Sequence, residues 1–276
     1  MTPTARTEFP LAGTLAAAAS AFAIGLRRNF ANWPVLMGRA LFYLVAMTVL
    51  SSLWDKVSSA RLAGTLASSL PAGGLTLYIG VTEWIALGVA AIHLRLEDDI
   101  RFGMLEPHLL RPKSYLVQKI AECLGDTLGR MIGIGAAALI ALGLSGRALP
   151  PPQAFLFAVI LGIFAAAIGV LLYTVVGLCA FWVRRVLPPY LLMQKAMFLL
   201  GGIFAPISLY PAWLYRFAMA TPFAPSLFVA GDQMIAPSAA SFAQALLLQA
   251  AWIAILSGLI ALVWRAGLRK VLREGV

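Results

Sequence analysis

The chain has 276 residues, of which 61% are hydrophobic and 12% charged, and a formal net charge of +10. Soluble domains carry about twice that charged share, and a soluble core of this size cannot hide so much apolar surface, so the composition defines an integral membrane protein. The positive excess would suit nucleic acid in a soluble chain, but no motif that reads bases is present, and nucleic acid is excluded as a partner. The preference for Lys and Arg on cytoplasmic segments accounts for the charge instead.

Residues 1 to 13 are short and polar-leaning, with no element expected. Thr14 to Phe30 is an Ala-rich run ending in Arg27 and Arg28. A cleaved signal peptide is one reading; a helix lying in the membrane interface, its arginines toward headgroups, is preferred. The first span is expected over Val35–Trp54, with Arg39 near its start able to extend toward headgroups. A loop carrying Asp55, Lys56 and Arg61 leads through Pro71-Ala-Gly-Gly to a second span, Leu75–Leu94. A polar interval, Arg95 to Pro112, follows. Then a long helix begins near Ser114, polar for four turns and apolar over Met131–Leu144. Gly146 to Pro152 reads as a tight turn.

The fourth span, Phe155–Trp182, has 28 residues without a charge, more than the ~20 a bilayer needs, so it should tilt. Arg184, Arg185 and Pro188-Pro189 end it. The fifth span, Tyr190–Phe204, is short and interrupted by Gly201-Gly202. Residues 205 to 223 are apolar but broken by prolines, which predicts short re-entrant helices rather than a crossing. The last span is Phe242–Trp264, closed by Arg265, Arg269, Lys270 and Arg273. The fold class is therefore all-α: six spans, an N-terminal interfacial helix, a polar helix after span two and re-entrant helices before span six. The expected division is one transmembrane unit over 1–276, with residues 1–32 interfacial, 33–266 the bundle and 267–276 a basic tail.

Six spans put both termini on one side. With the N-terminus inside, 16 of the 21 Lys and Arg fall on cytoplasmic segments or span ends, Lys56, Arg61, Arg147 and Arg216 fall outside, and Arg130 is unassigned. That imbalance puts the termini and the Arg95–Pro112 interval in the cytoplasm. In that interval Glu97, Asp98 and Asp99 lie in front and Arg111 and Lys113 behind, an order that suits a helix dipole. Leu96, Ile100, Met104 and Leu105 recur at helical spacing, and Gly103 and Pro107 limit the helix. Such a helix can dock into a partner's groove or lie on lipid.

Few residues point to chemistry. Glu83 sits roughly 12 Å into the second span at 1.5 Å per residue, where an ionisable group is costly; it is a pathway or gate candidate, or a structural carboxyl bonded to a neighbour. Lys119, Glu122, Asp126 and Arg130, at spacings of three, four and four, form one charged stripe with opposite charges adjacent at each end. A self-neutralising stripe is the favoured reading and a cytoplasmic gate the other. His93 and His108 have no metal-ligand spacing, Cys123 and Cys179 are expected as reduced thiols, and no catalytic residues or metal site are expected. No Gly-x-x-x-x-Gly-Lys-Ser/Thr loop occurs, so the chain cannot hold ATP by that device.

Two stretches resemble a family. Gly103-Met-Leu-Glu-Pro-His-Leu-Leu-Arg-Pro-Lys-Ser-Tyr is similar to the Gly-x-Leu-Asp/Glu-x-x-Leu-Leu-Arg-Pro-x-Ser pattern of type-2 ABC exporter permeases. Gly202-Ile-Phe-Ala-Pro-Ile-Ser-Leu-Tyr-Pro-Ala-Trp-Leu, then Thr221-Pro-Phe, resembles that family's pattern after the fifth span. The resemblance implies a half-transporter that pairs with a second, different permease and with ATPase subunits, which bind the ATP and magnesium. It implies a substrate moved by alternating access, and a coupling helix seated in the ATPase and formed by Glu97, Asp98, Asp99, Ile100, Arg101, Phe102, Gly103, Met104, Leu105, Glu106, Leu109, Leu110 and Arg111. The alternative is an ATP-independent secondary transporter or channel, which would more often show repeated halves or correspondingly broken helices.

Overall fold

The computed structural model describes residues 11–59, 74–105, 114–144, 150–203 and 205–274, and every regular element among them is helical. In chain order these are α1 (Leu11–Ala31), α2 (Trp33–Ser59), α3 (Gly74–Gly88), α4 (Ile92–Arg101), α5 (Tyr115–Leu144), α6 (Pro152–Leu178), α7 (Leu187–Leu200), α8 (Ala212–Met219), α9 (Phe223–Ser226), α10 (Phe228–Ile235) and α11 (Ala239–Glu274). Single 3-10 turns lie at Cys179–Phe181 and Ile207–Leu209. The expected N-terminal segment 1 to 10, most of the loop before span two and most of the Gly146–Pro152 turn lie outside the described residues.

Among the described residues, five helical stretches are long and apolar enough to cross a bilayer: Trp33–Leu53, Gly74–Arg101, Tyr115–Gly143, Pro152–Phe181 and Ala239–Arg273. The uncharged α6 is the pillar. It packs against α3, α4, α9, α10 and α11, and small residues along it receive large neighbours. Trp84 of α3 lies on Gly162, Val89 on Gly169, and His93 and Leu96 of α4 on Gly177. Trp84 also covers Gly135 of α5 and donates its indole N–H to the Met131 carbonyl at 2.8 Å. Gly133 takes Leu36 of α2. These glycines permit close packing, because a missing Cβ leaves room for one large side chain.

The second crossing is bent. α3 ends at Gly88 and α4 starts at Ile92. α5 secures the break: the Ala90 N–H donates to Thr127 Oγ1 at 3.1 Å, and the Cys123 thiol points at the Ala90 carbonyl at 3.7 Å. Backbone groups freed from a helix inside a membrane need such partners. The polar helix thus begins earlier than its charges suggest, and its first turn (Ile92, His93) is buried.

α7 has only 14 residues, roughly 21 Å at 1.5 Å per residue, less than the ~30 Å hydrocarbon thickness. Tyr190 near its start stacks on His93 of α4 at 4.2 Å between ring centroids. Just past its end, the Gly202 carbonyl accepts the Tyr78 hydroxyl of α3 at 2.6 Å. α7 therefore runs antiparallel to α3 over nearly the same depth. Gly202 takes φ 73°, a left-handed turn that glycine adopts without strain, and there the helix stops. The next segment is broken as expected, into the 3-10 turn, α8, α9 and α10. α10 lies against α3 and α6, with Gly231 on Tyr78 and Thr82. Gln249 of α11 ties α9 in by donating to the carbonyls of Pro225 at 2.9 Å and Leu161 at 3.0 Å.

α1 is the larger surprise. It packs along α5 more extensively than any other helix pair, rather than against headgroups alone. The two backbones meet where Gly25 abuts the Glu122 carbonyl and Gly125 the Phe22 carbonyl. A methyl group at either glycine would strike backbone, which cannot swing aside. Gly25→Ala and Gly125→Ala should each destabilise the purified chain by about 1–3 kcal/mol, the cost of an overpacked contact. Gly143→Ala, whose Cβ meets open space, should leave the thermal midpoint unchanged or slightly raised.

Candidate functional site

The charged stripe on α5 and the front of α4 form one site. Lys119, Glu122, Asp126 and Arg130 share a helix face, and α1 and α4 lie beside it. Asp126 is at the centre, with its side chain 3% exposed. Its Oδ2 accepts from Arg95 of α4 at 2.6 Å, from Arg130 at 3.0 Å and from Arg28 of α1 at 3.1 Å. Its Oδ1 accepts from Asn29 Nδ2 at 2.6 Å and Arg130 Nε at 3.1 Å. Asn29 also donates to the Asp126 carbonyl at 2.9 Å. Glu122 pairs with Arg28 at 2.6 Å and faces Arg95 at 3.5 Å. Three guanidiniums thus face two carboxylates, leaving residual positive charge.

The expectation of a self-neutralising stripe needs correction. Arg130 and Asp126 do pair along the helix, but Lys119 turns to Asp99 of α4 at 2.7 Å, and Glu122 turns to α1 and α4. The physical reason is reach. Neighbouring helices bring cations to the buried side of α5, where a desolvated carboxylate gains more from hydrogen-bonded arginines than from one exposed i,i+4 pair. Arg28, though exposed like Arg27, likewise points to these carboxylates rather than toward headgroups. The composition of α1 did not disclose Arg28 and Asn29 as site residues. The available signal was an adjacent Arg and Asn closing an otherwise apolar helix.

Of the acidic triplet, only Asp98 is exposed. Glu97 is buried and pairs with Arg101 at 3.4 Å, and Asp99 is held by Lys119 and by the Tyr115 hydroxyl. Leu96 is buried, and Ile100 packs on the core. At the tip, Arg101 lies over the Phe102 ring at 5.7 Å, and Phe102 and Met104 are 69% and 54% exposed. Gly103, at φ 66°, turns the chain so that Leu105 folds back into the core. Glu106, Leu109, Leu110 and Arg111 lie outside the described residues, as do Pro107 and His108.

Glu83 stands apart from this cluster. It is half-buried on the side of α3 that carries Gly80 and Leu87, near Tyr43 of α2, and among the described residues it has no hydrogen-bond or ion-pair partner. Both cysteines are free thiols. Among the described residues no three of His, Cys, Asp and Glu come together as a metal site requires.

A bundle whose described elements are all helical, with several bilayer-length apolar stretches and a charged joint where one crossing leaves the bundle, defines a polytopic membrane protein. The sequence pattern of the ABC-2 family transporter proteins matches residues 75–275, from α3 to the end of α11. The chain belongs to that family: it is a permease of the ABC type, a class that is typically a non-catalytic membrane subunit associated with an ABC ATPase. No curated protein matches it.

Removing the carboxylate of Asp126 would strand three arginines in a poorly hydrated joint. Asp126→Ala should cost about 3–5 kcal/mol, as breaking a buried pair does. Glu122→Gln, whose partner Arg28 is 43% exposed, should cost about 1 kcal/mol or less. Denaturant or thermal unfolding of the purified chain measures both.

Proposed function

We propose that the chain is the membrane half of an exporter in a bacterial inner membrane, moving its substrate outward by alternating access while separate ATPase subunits bind ATP and magnesium. The observation that carries the reading is the way α4 is held. It continues the α3 crossing through a bend secured by Thr127, and it is bolted to α5 through Arg95 and Asp99, with α1 joined through the same carboxylates of α5. It ends in an exposed tip of Asp98, Arg101, Phe102 and Met104. A short helix bolted in this way transmits a push at its tip as a rigid-body tilt of the bundle. The tip offers an apolar knob flanked by charge, the form of a helix that seats in a partner's groove. Residues 106 to 111 complete the coupling segment in this reading.

The whole chain 1–276 acts as one permease unit. α7 with the Gly202 turn forms a fifth crossing and α11 the sixth, a count supported by the antiparallel run of α7 between the His93 and Tyr78 levels. Both termini and the α4 tip are then cytoplasmic, which agrees with the distribution of Lys and Arg. Two permeases complete the pathway, this chain pairing with a different one. Glu83, which has no bonded partner among the described residues, lies along that pathway, and the Asp126 joint sets the geometry of its cytoplasmic end.

Asp98→Lys combined with Phe102→Ala should lower ATPase co-purification and ATP-driven transport at least tenfold. The thermal midpoint should shift by less than about 2 °C, because both side chains are exposed and such changes cost roughly 0.5 kcal/mol or less. Full transport by that variant, or transport by vesicles lacking any ATPase, would overturn the reading.

A further inference from the structure

We propose that the groove between α2 and α3 is a binding site for an acidic phospholipid of the surrounding bilayer, its phosphate held by Arg39. The groove has a volume of about 450 Å³ and is lined by Val35, Gly38, Arg39, Phe42 and Leu87. Arg39 is the single charged residue in the crossing part of α2, Trp33–Leu53. It is half-buried and makes no hydrogen bond or ion pair with a described residue. Asp126, within electrostatic reach, is already taken by Arg28, Arg95 and Arg130. Arg130 is within reach of Arg39 as well, so the neighbourhood stays positive.

Everything else about the groove is apolar and open. A Cβ built on Gly38 meets nothing within 4 Å, and Val35 and Phe42 are 49% and 59% exposed. Trp33, 65% exposed, marks the interface end of α2. Arg39 lies six residues inside, roughly 9 Å at helical rise, a depth from which a guanidinium meets a phosphate by extending along its stem. One cation at headgroup depth over apolar walls is the complement of a phosphodiester carrying acyl chains. A second protein chain in the same place would have to bring a carboxylate to this depth and desolvate both charges, which seldom gains net energy. The site requires only that α2 crosses the bilayer, so it stands or falls independently of the ATPase reading.

Native mass spectrometry of the purified full-length protein, titrated with phosphatidylglycerol or phosphatidylcholine, tests the site. The wild type should retain one phosphatidylglycerol with a roughly fivefold or greater preference, the size expected for one cation acting on an interfacial phosphate. Arg39→Gln should lose the preference and Arg39→Lys should keep most of it. Gly38→Leu, which fills the groove and leaves Arg39 in place, should also lose it. A phosphatidylglycerol-dependent rise in thermal midpoint should accompany binding in the wild type and vanish in Arg39→Gln. Equal retention by wild type and Arg39→Gln, or full retention by Gly38→Leu, would overturn the proposal. So would loss of a co-purified permease from Arg39→Gln with lipid binding unchanged, which would make the groove a protein interface. Release of the bound lipid when ATP is added to the assembled transporter would make it cargo and overturn the resident site.

Discussion

The structure hangs on a single carboxylate. Asp126 accepts hydrogen bonds from three arginines and an asparagine supplied by α1, α4 and α5 itself, and the more exposed Glu122 beside it ties the same three helices through Arg28 and Arg95. Such a cluster adds little net stability compared with an apolar substitute, because each buried charge gives up hydration. What it adds is direction. Apolar helices in lipid have no solvent-driven reason to prefer one register over another, whereas guanidiniums and a carboxylate at about 3 Å fix rotation and height together.

The joint needs a counterpart that does not move, and α6 supplies it. Its uncharged surface, notched at Gly162, Gly169 and Gly177, is filled by Trp84, Val89 and Leu96 from the continuous α3–α4 crossing. Large side chains in glycine notches resist sliding along the axis, since any displacement drives them into the next turn. α3 and α4 are thus keyed to α6 by shape on one side and to α5 and α1 by charge on the other. The bend at Ala90 lies between the two kinds of contact, and Thr127, the residue next to Asp126, bonds it.

The membrane class, the helical content and the close-packing glycines could all be read from the chain, because each rests on local composition or on the absence of a Cβ. The position of α4 could be read only in part. Its acidic triplet marked the segment, but two of those three residues are used for internal pairing, and periodicity does not distinguish Asp98, which faces water, from Asp99, which faces Lys119. The role of α1 was not readable. An Ala-rich helix with two terminal arginines is compatible with a lipid surface, and only the meeting of Gly25 with the Glu122 carbonyl and of Gly125 with the Phe22 carbonyl, far apart in the chain, shows that it lies against α5. Long-range pairing of this kind leaves no periodic trace in either helix. The charge stripe misled for a related reason: spacing reports which residues share a face but not what lies opposite that face.

Under the proposed coupling to an ATPase, burial and exposure divide the site into two mechanical roles. Arg95, Glu97 and Asp99 point inward and would carry force; Asp98, Phe102 and Met104 point outward and would receive it. A lever gripped through residues that also held its own hinge would loosen whenever its partner bound, because the partner would compete for the same charges. The carboxylates that hold α4 are shielded by Arg101, Lys119 and Tyr115, and an incoming surface would meet mainly an aromatic ring, a thioether and one exposed carboxylate. In that proposal, force applied at the tip reaches α5 and α1 with the Asp126 bonds intact, and the joint turns as a body.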